Sequence, residues 1–266
     1  MLRRLIPASL VTLAVAAAPA LAQNAADFRW SGSAAAGSDV SVSNVNGNVT
    51  ITPSTTGKVE VLGTKRGSGN SLNHIRADVQ QTSRGIVVCV LYDENSYCDD
   101  NGSHSNNRGW RDDDWGNARI DLQVAVPTNL QVSASSVSGD VSVTGAQGDV
   151  RANTVSGDVI LDKLHASSIK ANTVSGDLQV RVDELMGRGD FSFNTVSGDL
   201  TLMVPRNFDA DLTMSSVSGD VSSDFALTVG ANSRMRRGSV EARIGNGGRR
   251  LDVHSVSGSL HLRALN

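Results

Sequence analysis

The chain repeats one six-residue segment, represented by Thr154-Val155-Ser156-Gly157-Asp158-Val159. The other copies begin at Ser136, Thr173, Thr195, Ser216 and Ser255. The copies contain Gly139, Gly157, Gly176, Gly198, Gly219 and Gly258, which lie 18, 19, 22, 21 and 39 residues apart in turn. A repeat of about this length indicates stacked units that each pack against their neighbours.

Two weaker relatives extend the repeat. The last interval is two periods long, and a worn copy is expected near Arg237-Gly238-Ser239-Val240. Asn44-Val45-Asn46-Gly47-Asn48-Val49 resembles the motif close to the N-terminus. The array is therefore expected to begin well before the first regular copy.

Between the copies, polar and apolar residues alternate, as in Asp140–Thr144 and Asp149–Asn153. Short alternating runs are typical of strands with one buried face. Each period then holds about two short strands and their turns, and no helix is expected. The sequence predicts an all-β, single-stranded β-solenoid (β-helix) with coils of about 18–22 residues and roughly eight to ten coils.

The glycine in each copy predicts a corner. Glycine adopts the backbone angles that a corner requires, and serine and aspartate side chains bond nearby backbone amides. We expect the valines on both sides, such as Val137 and Val141, to turn inward and stack on their copies about 4.8 Å away. A second turn is expected at Val126–Leu130 and Val204–Phe208, which share Val-Pro-x-Asn.

Less periodic strands are expected upstream. They are predicted at Val40–Asn44, Asn48–Thr52, Lys58–Gly63, Ile75–Gln81, Gly85–Leu91 and Arg119–Val126. We interpret them as irregular first coils of the same domain. The hydrophilic segment 92–117 is an acidic insertion into this domain.

The N-terminus predicts an export signal. Arg3 and Arg4 precede the largely apolar Leu5–Ala18, and Ala20-Leu21-Ala22 is an A-x-A cleavage site. Residues 1–22 are therefore the predicted signal peptide, and residues 23–266 form the β-solenoid domain. We expect a periplasmic, secreted or cell-surface protein without a transmembrane anchor.

An exported location decides the interpretation of Cys89 and Cys98. Their spacing is not C-x-x-C, the chain has no other cysteine, and exported proteins form disulfides. A local disulfide is expected, and a metal or redox pair is the alternative. Such a bond would hold the base of the insertion.

The repeated motif, the Val126-Pro127 segment before it and the export signal resemble the bacterial "putative adhesin" family of uncharacterised β-helical cell-envelope proteins. The similarity extends from about Asp39 to Leu262. It implies a β-helix in the cell envelope and implies no catalytic residues. The insertion departs from the simple repeat.

One aspartate per coil forms a predicted ladder. Its members are Asp140, Asp158, Asp177, Asp199 and Asp220. Stacked like charges repel, so either turn amides or cations must stabilise them. Calcium would be the ion, but the G-G-x-G-x-D pattern of calcium-binding repeats is absent. We therefore favour turn formation and predict no metal site or cofactor.

Two charged segments lie outside the repeat. The insertion carries Asp93, Glu94, Asp99, Asp100, Asp112, Asp113 and Asp114 against Arg108 and Arg111, with His104, Trp110 and Trp115. The C-terminal part carries Arg234, Arg236, Arg237, Arg243, Arg249, Arg250 and Arg263 against Glu241 and Asp252. The first is either a solvated loop or a calcium or sugar site. The second is either a charged cap or a surface for anionic partners.

No catalytic constellation is evident. The chain lacks H-E-x-x-H, G-x-S-x-G and phosphate-binding motifs, and its net charge of −3 argues against general nucleic-acid binding. We predict a non-enzymatic cell-envelope protein, either an adhesin or a partner-binding scaffold, with a surface glycan or an envelope protein as partner. The alternative is a β-helix enzyme that acts on polysaccharides.

Overall fold

A computed structural model describes residues 28–67, 71–105, 118–229, 235–236 and 238–265. The predicted signal peptide and residues 106–117 of the insertion lie outside the described residues. In chain order the elements are β1 (Phe28–Gly32), β2 (Asp39–Ser43), β3 (Val49–Pro53), β4 (Val59–Arg66), α1 (Ser71–His74), β5 (Arg76–Gln81), β6 (Gly85–Leu91), β7 (Tyr97–Asp99), β8 (Gly102–His104), β9 (Arg119–Val126), β10 (Gln131–Ser138), β11 (Val141–Thr144), β12 (Gln147–Ser156), β13 (Val159–Ser175), β14 (Leu178–Leu185), β15 (Phe191–Ser197), β16 (Leu200–Val204), β17 (Ala210–Ser218), β18 (Val221–Ser223), β19 (Leu227–Thr228), β20 (Met235–Arg236), β21 (Ser239–Ile244), β22 (Arg250–Ser257) and β23 (Leu260–Ala264).

The strands form two stacked faces. The first sheet runs in space through β5, β6, β2, β10, β12, the end of β13, β15, β22, β17 and β21. The second sheet runs through β1, β4, β9, β3, β11, the start of β13, β14, β16, β23 and β18. The chain crosses from the first to the second at each Ser-Gly-Asp corner. The predicted all-β solenoid is confirmed, with eight coils in the described chain.

The second turn closes the opposite edge of the coil. In both Val-Pro-x-Asn segments the residue three positions after proline donates its amide to the proline carbonyl. Leu130 N–H bonds Pro127 O at 3.2 Å, and Phe208 N–H bonds Pro205 O at 3.1 Å. Leu130 and Phe208 are both buried, so each turn delivers an apolar side chain to the core.

The core consists of columns of aligned side chains. In the first sheet Val132, Val150, Ile169, Phe191, Leu251 and Leu212 occupy one register position, and all six are buried. Val141, Val159, Leu178, Leu200 and Leu260 form the facing column of the second sheet. Burial of each such side chain contributes about 1.5–3 kcal/mol, so the columns hold the stack together.

Spatial order differs from chain order at both ends. Along the stack, the β2/β3 coil lies between the β6/β9 coil and the β10/β11 coil, although it comes first in the chain. The β22/β23 coil likewise lies between the β15/β16 and β17/β18 coils. Antiparallel strands β4 and β5 cover one end, and β21 covers the first sheet at the other. Such hairpins protect sheet edges that would otherwise pair with another chain.

Three details of the sequence prediction are wrong. Ser239 and Val240 belong to β21, which runs antiparallel to β17, so the worn copy is not a stacked corner. Gly238 has φ 76°, unlike the corner glycines. One helical turn, α1, is present although no helix was expected. The third error is the orientation of the first valine of each copy, which points outward.

Candidate functional site: the corner ridge

The stacked corners form one continuous edge of the solenoid, which we call the corner ridge. It comprises, in spatial order, the tetrapeptides 137–140, 155–158, 174–177, 196–199, 256–259 and 217–220. The ridge contains the predicted corner glycines and the predicted aspartate ladder. It therefore gathers these two sets of candidate residues in one place, whereas Cys89, Cys98 and the described C-terminal arginines lie outside it.

Hydroxyl groups fill the inside of the corner. Thr154 Oγ1 donates to Gly139 O at 2.9 Å, and Thr173 Oγ1 donates to Gly157 O at 3.1 Å. Ser136 and Ser216 make the same bond to the glycine of the adjacent coil. Buried carbonyls need such partners, which explains a hydroxyl residue at the first motif position. Ser255 is the exception, because its buried Oγ has no partner among the described residues.

An inward hydroxyl turns the next residue outward. The first valine of each copy was expected in the core, but Val137, Val155, Val174, Val196 and Val256 are 46–50% exposed and Val217 is 83% exposed. The expectation was wrong because the hydroxyl residue before each valine points inward, so the alternation of the strand turns that valine outward before the corner. A flat strand places residues four apart on one face, whereas here only the second valine, such as Val159, is buried. The result is an exposed apolar stripe.

The corner glycines are required for close stacking. Gly176 has φ 146°, and a Cβ built there would lie 2.1 Å from Gly157 O. The other motif glycines have φ between 142° and 156° and equally close backbone neighbours. L-residues rarely adopt this conformation, and no side chain fits the gap. Glycine therefore sets the distance between coils at the ridge.

The aspartates form a ladder of hydrogen bonds to the next coil. Asp158 N–H donates to Asp140 Oδ1 at 2.9 Å, Asp177 N–H to Asp158 Oδ1 at 2.8 Å, and Asp199 N–H to Asp177 Oδ1 at 2.9 Å. Ser259 N–H continues the ladder to Asp199 Oδ1 at 2.7 Å. Each of these carboxylates therefore accepts a backbone amide of the neighbouring coil, which is a charge-assisted hydrogen bond.

The N-terminal end of the ridge is closed by residues that the sequence did not single out. Tyr92 Oη accepts from Asn46 N–H and donates to Asn46 O, both at 2.8 Å. Burial raises the pKa of Tyr92 to about 12. Asp121 Oδ1 accepts from Asn48 N–H at 3.1 Å, and Arg66 neutralises Asp121 through a 2.5 Å ion pair. Asp121-Leu122 repeats the Asp-Val or Asp-Leu end of the motif, and this sequence signal could have identified Asp121 as part of the ridge.

The described part of the insertion is a hairpin, not a simple solvated loop. β7 and β8 pair, and Cys98 of β7 is bonded to Cys89 of β6 with a Cα–Cα distance of 5.9 Å. Cys98 packs with Val87 and Leu91 on the outer side of the first sheet. Asp99 bonds His104 at 2.9 Å, and Arg84 donates to Asp100 O. Asp112, Asp113, Asp114, Trp110 and Trp115 lie outside the described residues.

The C-terminal arginines do not form one uniform basic surface. Arg243 pairs with Asp211 at 3.0 Å, and this hydrogen bond lowers the pKa of Asp211. Arg263 pairs with Asp224 at 3.0 Å. Arg234 and Arg237 lie outside the described residues. Charge pairing is therefore seen for two of the seven arginines, Arg243 and Arg263.

Arg249 is buried and has a different environment. It donates to the carbonyls of Ser167, Gly187 and Gly189 and lies 4.4 Å from the centre of the Phe191 ring. Burial lowers its pKa. These bonds join the start of the inserted β22/β23 coil to the body of the solenoid, which is a structural role.

Residues 27–263 match the profile of the family described as Toastrack DUF4097. The chain belongs to this family. The Toastrack match confirms the resemblance to the "putative adhesin" family that the repeated motif indicated.

Two solved structures are similar to this Toastrack chain. One is a putative cell adhesion protein from Clostridium sporogenes, with 9% identity, 90% of this chain and 99% of that chain covered, and a TM-score of 0.47. The other is a putative adhesin from Bacteroides fragilis, with 12% identity, coverage of 90% and 96%, and a TM-score of 0.42. No curated protein matches the chain. No helix in the described part of the chain is long and apolar enough to cross a membrane.

Proposed function

We propose that this protein is a non-enzymatic, exported component of the cell envelope that binds a partner along the corner ridge. The observation that carries the proposal is the stripe of six exposed valines. Isolated surface valines need no explanation, but a contiguous apolar patch on a soluble protein marks an interaction surface. The same position is valine in all six copies, although the core does not require it.

The chemistry of the ridge suits an extended ligand. Each coil presents a valine methyl pair and a serine hydroxyl, and every coil except that of Gly258 adds a carboxylate. The set recurs about every 4.8 Å. The ridge valines are about half exposed or more, so a small molecule bound to one of them would keep much of its contact with water. A glycan chain or an extended polypeptide segment could contact several coils at once, and weak contacts would then add up.

Export is part of the proposal. The predicted signal peptide at 1–22 and the Cys89–Cys98 disulfide both support an oxidising compartment. We propose that residues 23–266 form the mature solenoid domain, with 92–117 as an insertion at the corner position of the outermost coil.

The proposal is tested with a glycan array and with binding of labelled protein to intact bacterial cells. Val174→Glu places a charge in the middle of the stripe. Ile160→Glu is the matched control, since Ile160 is an exposed apolar residue on the outer face of the second sheet, two residues beyond the ridge. We expect Val174→Glu to reduce binding at least tenfold and Ile160→Glu to leave it unchanged. Equal binding by both variants would reject the ridge, and no binding to glycans or cells would reject the function.

A second candidate function, action on polysaccharides, is favoured by one observation. Glu241 and Asp252 flank Thr213 in the same row of the first sheet and line a cavity of ≈350 Å³. Their strands are about 9.6 Å apart, near the upper limit of the carboxylate separation in inverting glycosidases. Release of reducing sugar from an acidic polysaccharide, lost in Glu241→Gln and retained in Val174→Glu, would favour this enzyme over the binding protein.

A further inference from the structure

The outer face of the first sheet carries rows of side chains that run along the stack. Outward side chains two residues apart on a strand belong to neighbouring rows, and each row has one member per strand. The hairpin of β7 and β8 contacts β6 and β2 at one end of this face. From β12 to β21 the outward side chains are exposed or half-buried, so this part of the face is open.

One row, which we call the charge row, separates positive from negative charge. In spatial order from β12 to β21 it consists of Arg151, Lys170, Ser192, Asp252, Thr213 and Glu241. None of its four charged groups forms an ion pair with another residue that the structure describes. Two cations on neighbouring strands repel each other, so the separation of charge costs stability in an isolated chain.

The row next to it, on the side of the ridge, is an amide and hydroxyl row. Its members are Asn153, Asn172, Asn194, His254, Ser215 and Ser239. Asn172 Nδ2 donates to Asn153 Oδ1 and Asn194 Nδ2 donates to Asn172 Oδ1, both at 2.7 Å. These bonds fix the amide planes and leave one N–H of each amide for a further partner. A row that is already ordered loses little side-chain entropy on binding.

The row on the other side of the charge row is also charged. It contains Asp149, Ser168, Asp190, Arg250, Asp211 and Arg243, where Asp190 directly precedes Phe191, the partner of Leu251. Asp149 and Asp190 lie in the half that holds the cations of the charge row. Arg250 and Arg243 lie in the half that holds its carboxylates. The two rows therefore have opposite polarity.

This pattern is complementary to itself when the order of the strands is reversed. A second copy rotated by 180° about an axis that is parallel to the strands and midway between β15 and β22 keeps each row opposite the same row. It places β12 opposite β21, β13 opposite β17 and β15 opposite β22. Arg151 then faces Glu241, Ser192 faces Asp252 and Asp149 faces Arg243. Lys170 faces Thr213, which lies between the two carboxylates of the charge row. Each contact occurs twice, as in any two-fold interface.

The charges also exclude the other face-to-face arrangement. A two-fold axis along the charge row would place every strand opposite itself. Arg151 would then face Arg151 and Asp252 would face Asp252, and such like-charge contacts strongly disfavour a complex. The charge pattern therefore selects the axis that is parallel to the strands.

The face is large enough for a weak but specific dimer. Six strands about 4.8 Å apart and four rows about 6.6 Å apart give a face of about 30 by 20 Å, or about 600 Å² per copy before surface roughness is counted. Two such faces bury about 1,200 Å², which is the lower bound for specific interfaces. The valine stripe runs along the margin of this face, so the corner ridges of both copies would lie side by side on one edge of the dimer.

We propose that this protein forms a symmetric homodimer through the outer face of the first sheet, in which the charge row of one copy pairs with the reversed charge row of the other. The facing sheets lie about 10 Å apart, as in a β-sandwich. The dimer does not depend on ligand binding at the ridge.

The dimer is tested by sedimentation velocity of the mature protein over a range of concentrations. We expect a monomer–dimer equilibrium with a dissociation constant in the micromolar range. The dissociation constant should increase with salt concentration, because exposed charge pairs at an interface are screened.

Charge reversal identifies the face and the axis. Arg151→Glu and Glu241→Arg are each expected to weaken self-association at least tenfold, because each places two pairs of like charges across the interface. An equimolar mixture of the two variants should form a heterodimer, because Glu at 151 then faces Arg at 241 and both native pairs are kept on the other side. Lys58→Glu is the control, since it makes the same change of charge on an exposed residue next to β4 and should leave the dimer unchanged. All three altered side chains are exposed, and circular dichroism checks that the variants are folded.

Three results would overturn the inference. The first is a wild-type protein that remains monomeric at its highest soluble concentration. The second is a dimer that the two charge reversals leave as stable as the wild type. The third is a mixture of the two monomeric variants that does not associate, because Arg151 and Glu241 would then not face each other.

Discussion

Replacement of Gly176 by alanine is expected to destabilise the fold by about 4 kcal/mol or more. Gly176 has φ 146°, and the added Cβ would lie 2.1 Å from Gly157 O. Backbone strain of this kind costs about 1–3 kcal/mol by itself. The clash must also be relieved by moving two coils apart at the corner.

That movement breaks identifiable bonds. Gly157 N–H donates to Ser175 O at 3.0 Å, and Asp177 N–H donates to Asp158 Oδ1 at 2.8 Å, and both bonds join the two coils that must separate. A neutral hydrogen bond contributes about 0.5–1.5 kcal/mol, and the net cost rises when a buried group is left unpaired. Strain and lost bonds together give the expected magnitude.

The measurement is urea unfolding followed by circular dichroism, with Gly57→Ala as the matched control. Gly57 also has a positive φ, 74°, but nothing lies within 4 Å of a Cβ built there. Alanine at position 57 should therefore cost only about 1–2 kcal/mol, the ordinary penalty for the left-handed region. If both variants lose the same stability with unchanged m-values, close stacking of the corners is not what requires glycine, and the reasoning fails.

Three further predictions concern the corner and its cap. Thr173→Val should cost about 1–2 kcal/mol because the partly buried Gly157 carbonyl loses its donor, whereas Val174→Thr should change stability by less than about 0.5 kcal/mol. Equal effects in urea unfolding would contradict the inward threonine and the outward valine. Asp177→Asn should lower the melting temperature less than Asp177→Ala, because asparagine keeps the Oδ1 acceptor for the Asp199 amide, and the opposite order would count against the ladder. Burial raises the pKa of Tyr92 from 10.0 to about 12, so the folded state favours the neutral phenol. The contribution of Tyr92 to the free energy of unfolding is therefore complete below pH 10 and is lost as the pH rises to 12. Thermal unfolding should show this loss of stability in the wild type, and the melting temperature of Tyr92→Phe should change less with pH.

The fold was largely predictable because its signals are local and repeated. The period located the six corners of the repeated motif, and the alternation located strands such as Gly85–Leu91 and Arg119–Val126 with the bounds that the structure has. The two Val-Pro-x-Asn segments located the opposite turns. Repetition multiplies a weak signal, since each coil presents the same pattern to its neighbours.

The orientation of the first valine was not predictable from alternation alone. Alternation holds within a strand, but the corner interrupts it, and Val155 and Ser156 both point outward in succession. Only the inward bond of Thr154 to the adjacent coil reveals which side faces the core. The candidate surface was therefore present in the motif but assigned to the wrong side.

The order of coils in space was also hidden. A gap of 39 residues between Gly219 and Gly258 equals about two periods, so the sequence favoured a worn coil between them. In the structure this part of the chain includes β21, which pairs antiparallel with β17. The Gly258 coil lies between the Gly198 and Gly219 coils along the stack. Strand exchange at an end changes no local pattern, so sequence spacing carries no information about it.

The arrangement of the corners is tested most directly by pairs of cysteines on the valine stripe, treated with a bifunctional thiol reagent that spans about one strand spacing of 4.8 Å. Val196 and Val256 lie on coils that are neighbours in space, and so do Val256 and Val217, whereas the Gly258 coil separates Val196 from Val217. The account predicts rapid cross-linking of the first two pairs and little of the third, measured by mass spectrometry of tryptic peptides. Efficient linkage of Val196→Cys to Val217→Cys, with none to Val256→Cys, would show that the coils stack in chain order and contradict it.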